Sequence, residues 1–214
     1  MSLERILNAE SVAIIGASKN ETKRGYQTIR TLLDEKYEGK IYPVNPKEKS
    51  ILGIKCYKKM SDIKRRVDVA LVATPAASLP AVLEDCGKNG VKGAVVLAGG
   101  FGETGKNGRE LETRVLDTAR KHGIRLIGPN TSGMINRKDN LNLVGLRHVP
   151  KGDIALLSQS GKKFHHNRTA FSAVFYYTLN NSISICFHRW QKHTISSYRE
   201  TFVQVLISDL TLKR

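Results

Sequence analysis

The chain has 214 residues, 40% hydrophobic and 25% charged, which is enough to bury a core without metal or disulfide help and too apolar for an intrinsically disordered segment. Its 35 Lys and Arg against 19 Asp and Glu give a formal charge of +16, but this charge is spread along the chain with no dense basic run and no helix-turn-helix, RRM or KH signature, so a nucleic-acid partner is not expected. No apolar run reaches the ~18 residues of a membrane span, and Cys56, Cys86 and Cys186 form no CxxC pattern, which points to a reducing cytoplasmic setting without a zinc site.

The first strand is VAIIG (12–16), apolar on both faces as in a parallel sheet. Acidic residues precede it and no small-residue cleavage site follows, unlike a secretory leader. A helix from about Gly25 to Lys36 sets Ile29, Leu32 and Leu33 toward the core. Strands follow at IYPVN (41–45) and VDVALVAT (67–74), then a helix from about Ala76 to Lys88 and a strand at KGAVVLAG (92–99). An amphipathic helix over 108–122 carries Leu111, Val115, Leu116 and Ala119, and IRLIG (124–128) is the next strand. This order predicts an α/β, doubly wound, Rossmann-like parallel sheet. DIALLSQSG (153–161), after Pro150-Lys151-Gly152, starts a second α/β domain.

In such a sheet, ligands sit at the carboxyl ends of the strands. Those ends are Gly16-Ala17-Ser18-Lys19-Asn20, Asn45-Pro46-Lys47, Thr74-Pro75-Ala76, Ala98-Gly99-Gly100-Phe101 and Gly128-Pro129-Asn130. The first turn falls short of the GxGxxG dinucleotide fingerprint, with Ser18 and Glu21 where glycines would stand. A nicotinamide site ends its second strand in an acid that binds the ribose hydroxyls. Here Lys47 stands near that place, suited either to a ribose phosphate, as in coenzyme A or NADP, or simply to solvent. Gly99-Gly100 permits close backbone approach to a ligand or a tight turn, and Gly128-Pro129-Asn130 reads as a turn or as part of the site.

The ordered set VAIIGAS, YPVNPKEKSILGIKCY, VDVALVATPA, GVKGAVVLAGGFGETG, GIRLIGPNTSG and IALLSQSG resembles the nucleoside-diphosphate-forming acyl-CoA synthetases, which are similar to the succinyl-CoA synthetase alpha subunit. The resemblance is collinear over 1–161. It implies a coenzyme A-binding domain at 1–149 and the start of a second succinyl-CoA-synthetase-like domain at 150–161. It assigns cofactor binding to the loop after the first strand (Ala17, Ser18, Lys19, Asn20, beside Gly16), to Asn45 and Lys47, to Thr74 and Pro75, to Ala98, Gly99, Gly100 and Phe101, and to Asn130 near the thioester. Ser158, Ser160 and Gly161 would hold phosphate, as Ser/Gly amides opening a helix can. The family couples acyl-CoA to an acyl phosphate, a phosphohistidine and a nucleoside diphosphate, and implies an ATP-grasp-type partner domain or subunit.

Residues 162–214 break from this pattern. All 18 glycines and 6 prolines lie before residue 162, while His165, His166, His188 and His193 lie after it. None of these histidines has surroundings that match a phosphohistidine loop, so no catalytic residue is assigned. The segment reads as a frame-shifted or poorly ordered end, and the chain as a truncated synthetase that is not catalytic alone. The rival readings are a stand-alone coenzyme A-binding regulatory or carrier module and an NADP-binding oxidoreductase domain.

Overall fold

A computed structural model describes residues 4–146 and Val149, together with the backbone of two short strands, β10 (Ile154–Ala155) and β11 (Ser184–Ile185). Ser158, Ser160, Gly161 and the histidines beyond residue 162 lie outside the described residues. The central sheet has five parallel strands: β1 (Ser11–Ile15), β2 (Lys40–Val44), β5 (Val69–Val72), β6 (Gly93–Val96) and β7 (Arg125–Ile127). Their spatial order is β2-β1-β5-β6-β7. The chain leaves β1 outward to β2 and then returns to the other side of β1 with β5, so the order reverses between β1 and β5. This is the switch point where an open α/β sheet leaves a crevice.

Alternation along each strand divides the core between the two faces of the sheet. Ala13, Ile15, Ala70, Val72, Ala94 and Val96 pack with residues of α3 (Leu79–Lys88) and α4 (Lys106–His122). Val12, Ile14, Val69, Leu71 and Val95 pack with Ile29 and Leu32 of α2 (Arg24–Asp34) and with Ile6 and Leu7 of the short α1 (Glu4–Leu7). Leu33, expected inward, is 41% exposed. The buried stripe of α2 runs through Gly25, Thr28, Ile29 and Leu32, and position 33 falls on its flank. The helix expected from Ala76 opens as a 3-10 turn over Ala76–Ser78 before α3.

Two hairpins complete the layers: β3 (Ser50–Ile51) with β4 (Ile54–Lys55), and β8 (Ile135–Asn136) with β9 (Leu141–Asn142). The second lies along α2 and is fixed by polar groups. Asn136 donates to the Leu7 carbonyl at 2.9 Å, and Asn142 donates to Glu35 Oε1 at 3.0 Å. Glu35 also pairs with Arg137.

Candidate functional site

The five strand ends stand side by side along the carboxyl edge, so the sequence-predicted loops form one rim. The loop after β1 is internally braced. Ser18 Oγ accepts from the Asn20 amide at 3.0 Å, and Asn20 Oδ1 accepts from the amide and hydroxyl of Thr22 at 2.9 and 2.7 Å. Asn45 ties this loop to the one after β2: its Nδ2 donates to the Ala17 carbonyl at 2.6 Å, while its Oδ1 accepts from the Lys47 amide at 2.9 Å. Its side chain therefore serves as a brace, with both ends occupied. Lys47 is exposed, whereas Lys19 pairs with Glu48 at 2.9 Å.

Gly16 and Gly25 explain how the rim manages without a GxGxxG fingerprint. A Cβ on Gly25 would lie 2.3 Å from the Gly16 carbonyl oxygen. The helix crosses the loop at a distance that only glycine allows, a close-packing role that the fingerprint gives to its last glycine. The spacing of nine residues hid this equivalence in the sequence.

Beyond the switch point, Ser78 Oγ donates to Thr74 Oγ1 at 2.8 Å, fixing the turn that begins at Pro75. The Asn130 amide donates to the Ala98 carbonyl at 2.8 Å, joining the loops after β6 and β7. Gly100 has φ +102°, a conformation that favours glycine. Phe101 turns its side chain into the core, where it is 1% exposed, so it meets the rim through its backbone.

The backbone amides here already hold carboxylates. Gly100 and Phe101 donate to Glu103 at 2.6 and 3.1 Å, and Gly102 donates to Glu112 at 3.0 Å. The Gly100 amide, foremost, holds the Glu103 carboxyl below its ordinary range. Sequence reasoning missed Glu103, although a carboxylate three residues after a double glycine is a detectable signal. It also missed Arg24, the first residue of α2. Arg24 Nη2 donates to the Ser132 carbonyl at 2.9 Å, and burial lowers its pKa below the ordinary guanidinium value.

A parallel sheet with loops converging at its switch point defines a Rossmann-like α/β domain with a crevice at that point. A family model for the CoA binding domain matches residues 10–137, and the chain belongs to this family. It is 47% identical over 160 residues to an ADP-forming acetate–CoA ligase of Methanocaldococcus jannaschii, covering 74% of this chain and 22% of that protein. It is 45% identical over 166 residues to the alpha subunit of ADP-forming acetate–CoA ligase I of Pyrococcus furiosus, covering 75% and 36%. A dinucleotide-forming acetyl-coenzyme A synthetase 1 of Ca. Korarchaeum cryptofilum, solved with phosphate and ADP, superposes with a TM-score of 0.72 at 41% identity, covering 75% of this chain and 34% of that one. The chain thus spans between a fifth and two fifths of the length of these relatives and matches their coenzyme A-binding part. Among the described residues no helix is long and apolar enough to cross a membrane.

Proposed function

We propose that the carboxyl edge binds coenzyme A in an extended pose. The adenosine ribose phosphate lies against Lys47 and the loop Gly16–Asn20. The pantetheine arm crosses the β1/β5 switch point past Thr74 and Pro75 toward Ala98, Gly99, Gly100 and Asn130. The observation that carries this reading is the polarity of the rim. One end offers the exposed Lys47, with Lys19 held beside it by Glu48, to attract phosphate. The other seats Glu103 and Glu112 on the amides of Gly100, Phe101 and Gly102, which repel phosphate and tolerate an uncharged arm. The wider activity we propose is that of an ADP-forming acyl-CoA synthetase: acyl-CoA, ADP and phosphate give the acid, ATP and coenzyme A. An ATP-grasp-type partner domain or subunit supplies the nucleotide, Ser158, Ser160 and Gly161 bind phosphate, and the setting is cytoplasmic.

Calorimetric titration of coenzyme A and 3′-dephospho-coenzyme A against wild type and Lys47→Ala tests the pose. One charge-assisted contact at an exposed site is worth about 0.5–2 kcal/mol. Removing either the lysine or the 3′-phosphate should cost about that much, and removing both little more than either alone. Equal affinities in all four combinations would take Lys47 out of the site. An NADPH arm discriminates the remaining reading, since tighter NADPH than coenzyme A binding would favour a dinucleotide domain.

A further inference from the structure

A second concave site lies at the amino edge of the sheet, across the domain from the coenzyme A rim. It is a cavity of about 530 Å³ lined by Arg5, Lys64, Arg65, Arg66 and Lys92, with Asp68 as its single carboxylate. The fold brings these residues together because β5 and β6 enter the sheet in parallel, Val69 in register with Gly93. The segments leading into them therefore lie side by side, and Arg5 of α1 joins from the neighbouring strand's approach. Distant stretches of a chain whose charge looks evenly spread thus converge on one depression.

The carboxylate does not neutralise this site. Asp68 accepts from Arg66 Nη2 at 2.9 Å and from Ser11 Oγ at 2.8 Å, and Arg5 Nε stands 3.8 Å away. Lys64 Nζ donates to the Ser61 carbonyl at 3.2 Å. Among the described residues, the side chains of Arg65 and Lys92 have no hydrogen-bond or ion-pair partner. The floor is apolar, with Ile63 and Val67 4% and 1% exposed. At Gly90 the space where a side chain would begin is open, which keeps the mouth wide.

Surplus positive charge in a depression with low-dielectric walls concentrates the field and attracts anions. The volume lies within the range of small-molecule pockets. A free guanidinium fork and a free ammonium lining one cavity suit an anion presenting several oxygens over two linked centres. We infer that this cavity binds a small oligophosphate anion, such as pyrophosphate or the diphosphate moiety of a nucleotide, independently of the coenzyme A rim.

Inorganic pyrophosphate titrated into the full chain tests this, with and without excess coenzyme A. Binding should survive excess coenzyme A and the Lys47→Ala substitution. It should weaken at least ~10-fold in the Arg65→Gln/Lys92→Gln double variant, and sulfate at matched ionic strength should bind at least ~10-fold more weakly than pyrophosphate. The Lys92→Gln single variant, checked by its melting temperature, replaces the double variant if the latter is unfolded, and should lose about half as much on a logarithmic scale. Competition by coenzyme A, unchanged affinity in the folded variants, or sulfate binding as well as pyrophosphate would overturn the proposal. So would binding of a single-stranded oligonucleotide without binding of pyrophosphate.

Discussion

Gly25 is the tightest junction between helix and sheet at the rim, because an added methyl group would meet backbone atoms on the Gly16 side that cannot rotate away. Gly25→Ala should lower the unfolding free energy by about 1–3 kcal/mol through overpacking, measured as a fall in the urea midpoint with an unchanged slope. An unaltered midpoint would mean that α2 slides outward at little cost. Lys47 has the opposite character. It is exposed and engages the fold through its backbone amide, so Lys47→Ala should leave stability nearly untouched while weakening the ligand. Phe101 serves its glycine-rich loop from beneath, its buried side chain anchoring the loop to the core.

At the scale of elements, α3 and α4 are clasped by one carboxylate. Glu84 accepts from His122 Nε2 at 2.9 Å and from Lys121 Nζ at 3.2 Å, with Lys88 Nζ 3.5 Å away. Its hydrogen bonds to His122 and then Lys121 pull its pKa from 4.5 to about 2. A carboxyl depressed in the folded state stabilises fully above its unfolded pKa and ceases to as pH falls through the folded one. The melting-temperature gap between wild type and Glu84→Gln should therefore be full near pH 5.5 and close as pH falls from about 4.5 toward 2. A gap that persists unchanged at pH 2 would mean that the clasp does not depend on the charge of Glu84. The strands were legible because burial on both faces writes continuous apolar runs such as VAII and VALV, and the helices because their stripes repeat at helical spacing. The hairpins β3–β4 and β8–β9 were not legible. Each strand is two residues long, too short for any period, and Asn136 and Asn142 hold the second through contacts far away in sequence. In the site, the strand-end loops could be located from pattern alone. The braces from Asn45 to Ala17 and from Asn130 to Ala98 depend on which strands become neighbours, and that order is set by the tertiary fold.

For the whole molecule, the proposed reading predicts that the chain by itself forms neither a phosphohistidine nor an acyl-CoA. A relay needs an imidazole with an orienting partner and an anion cradle, and no matching histidine loop is present in the sequence. Incubation with labelled ATP should leave no acid-labile, base-stable label, and stoichiometric labelling of any histidine would overturn that expectation. The braces of the rim have one more consequence. The loops after β1 and β2 are tied to each other, as are those after β6 and β7. Among the described residues no hydrogen bond joins residues 17–23 or 45–49 to 98–103 or 128–130; behind the crevice, Arg24 links α2 to Ser132. On the proposed reading the rim is thus two preformed half-sites, and a ligand long enough to span them should behave as a chelate. Adenosine 3′,5′-bisphosphate and pantetheine should each bind feebly. Joined in one molecule they should bind far more tightly than either fragment, because the second half docks at the high effective concentration that the first half creates.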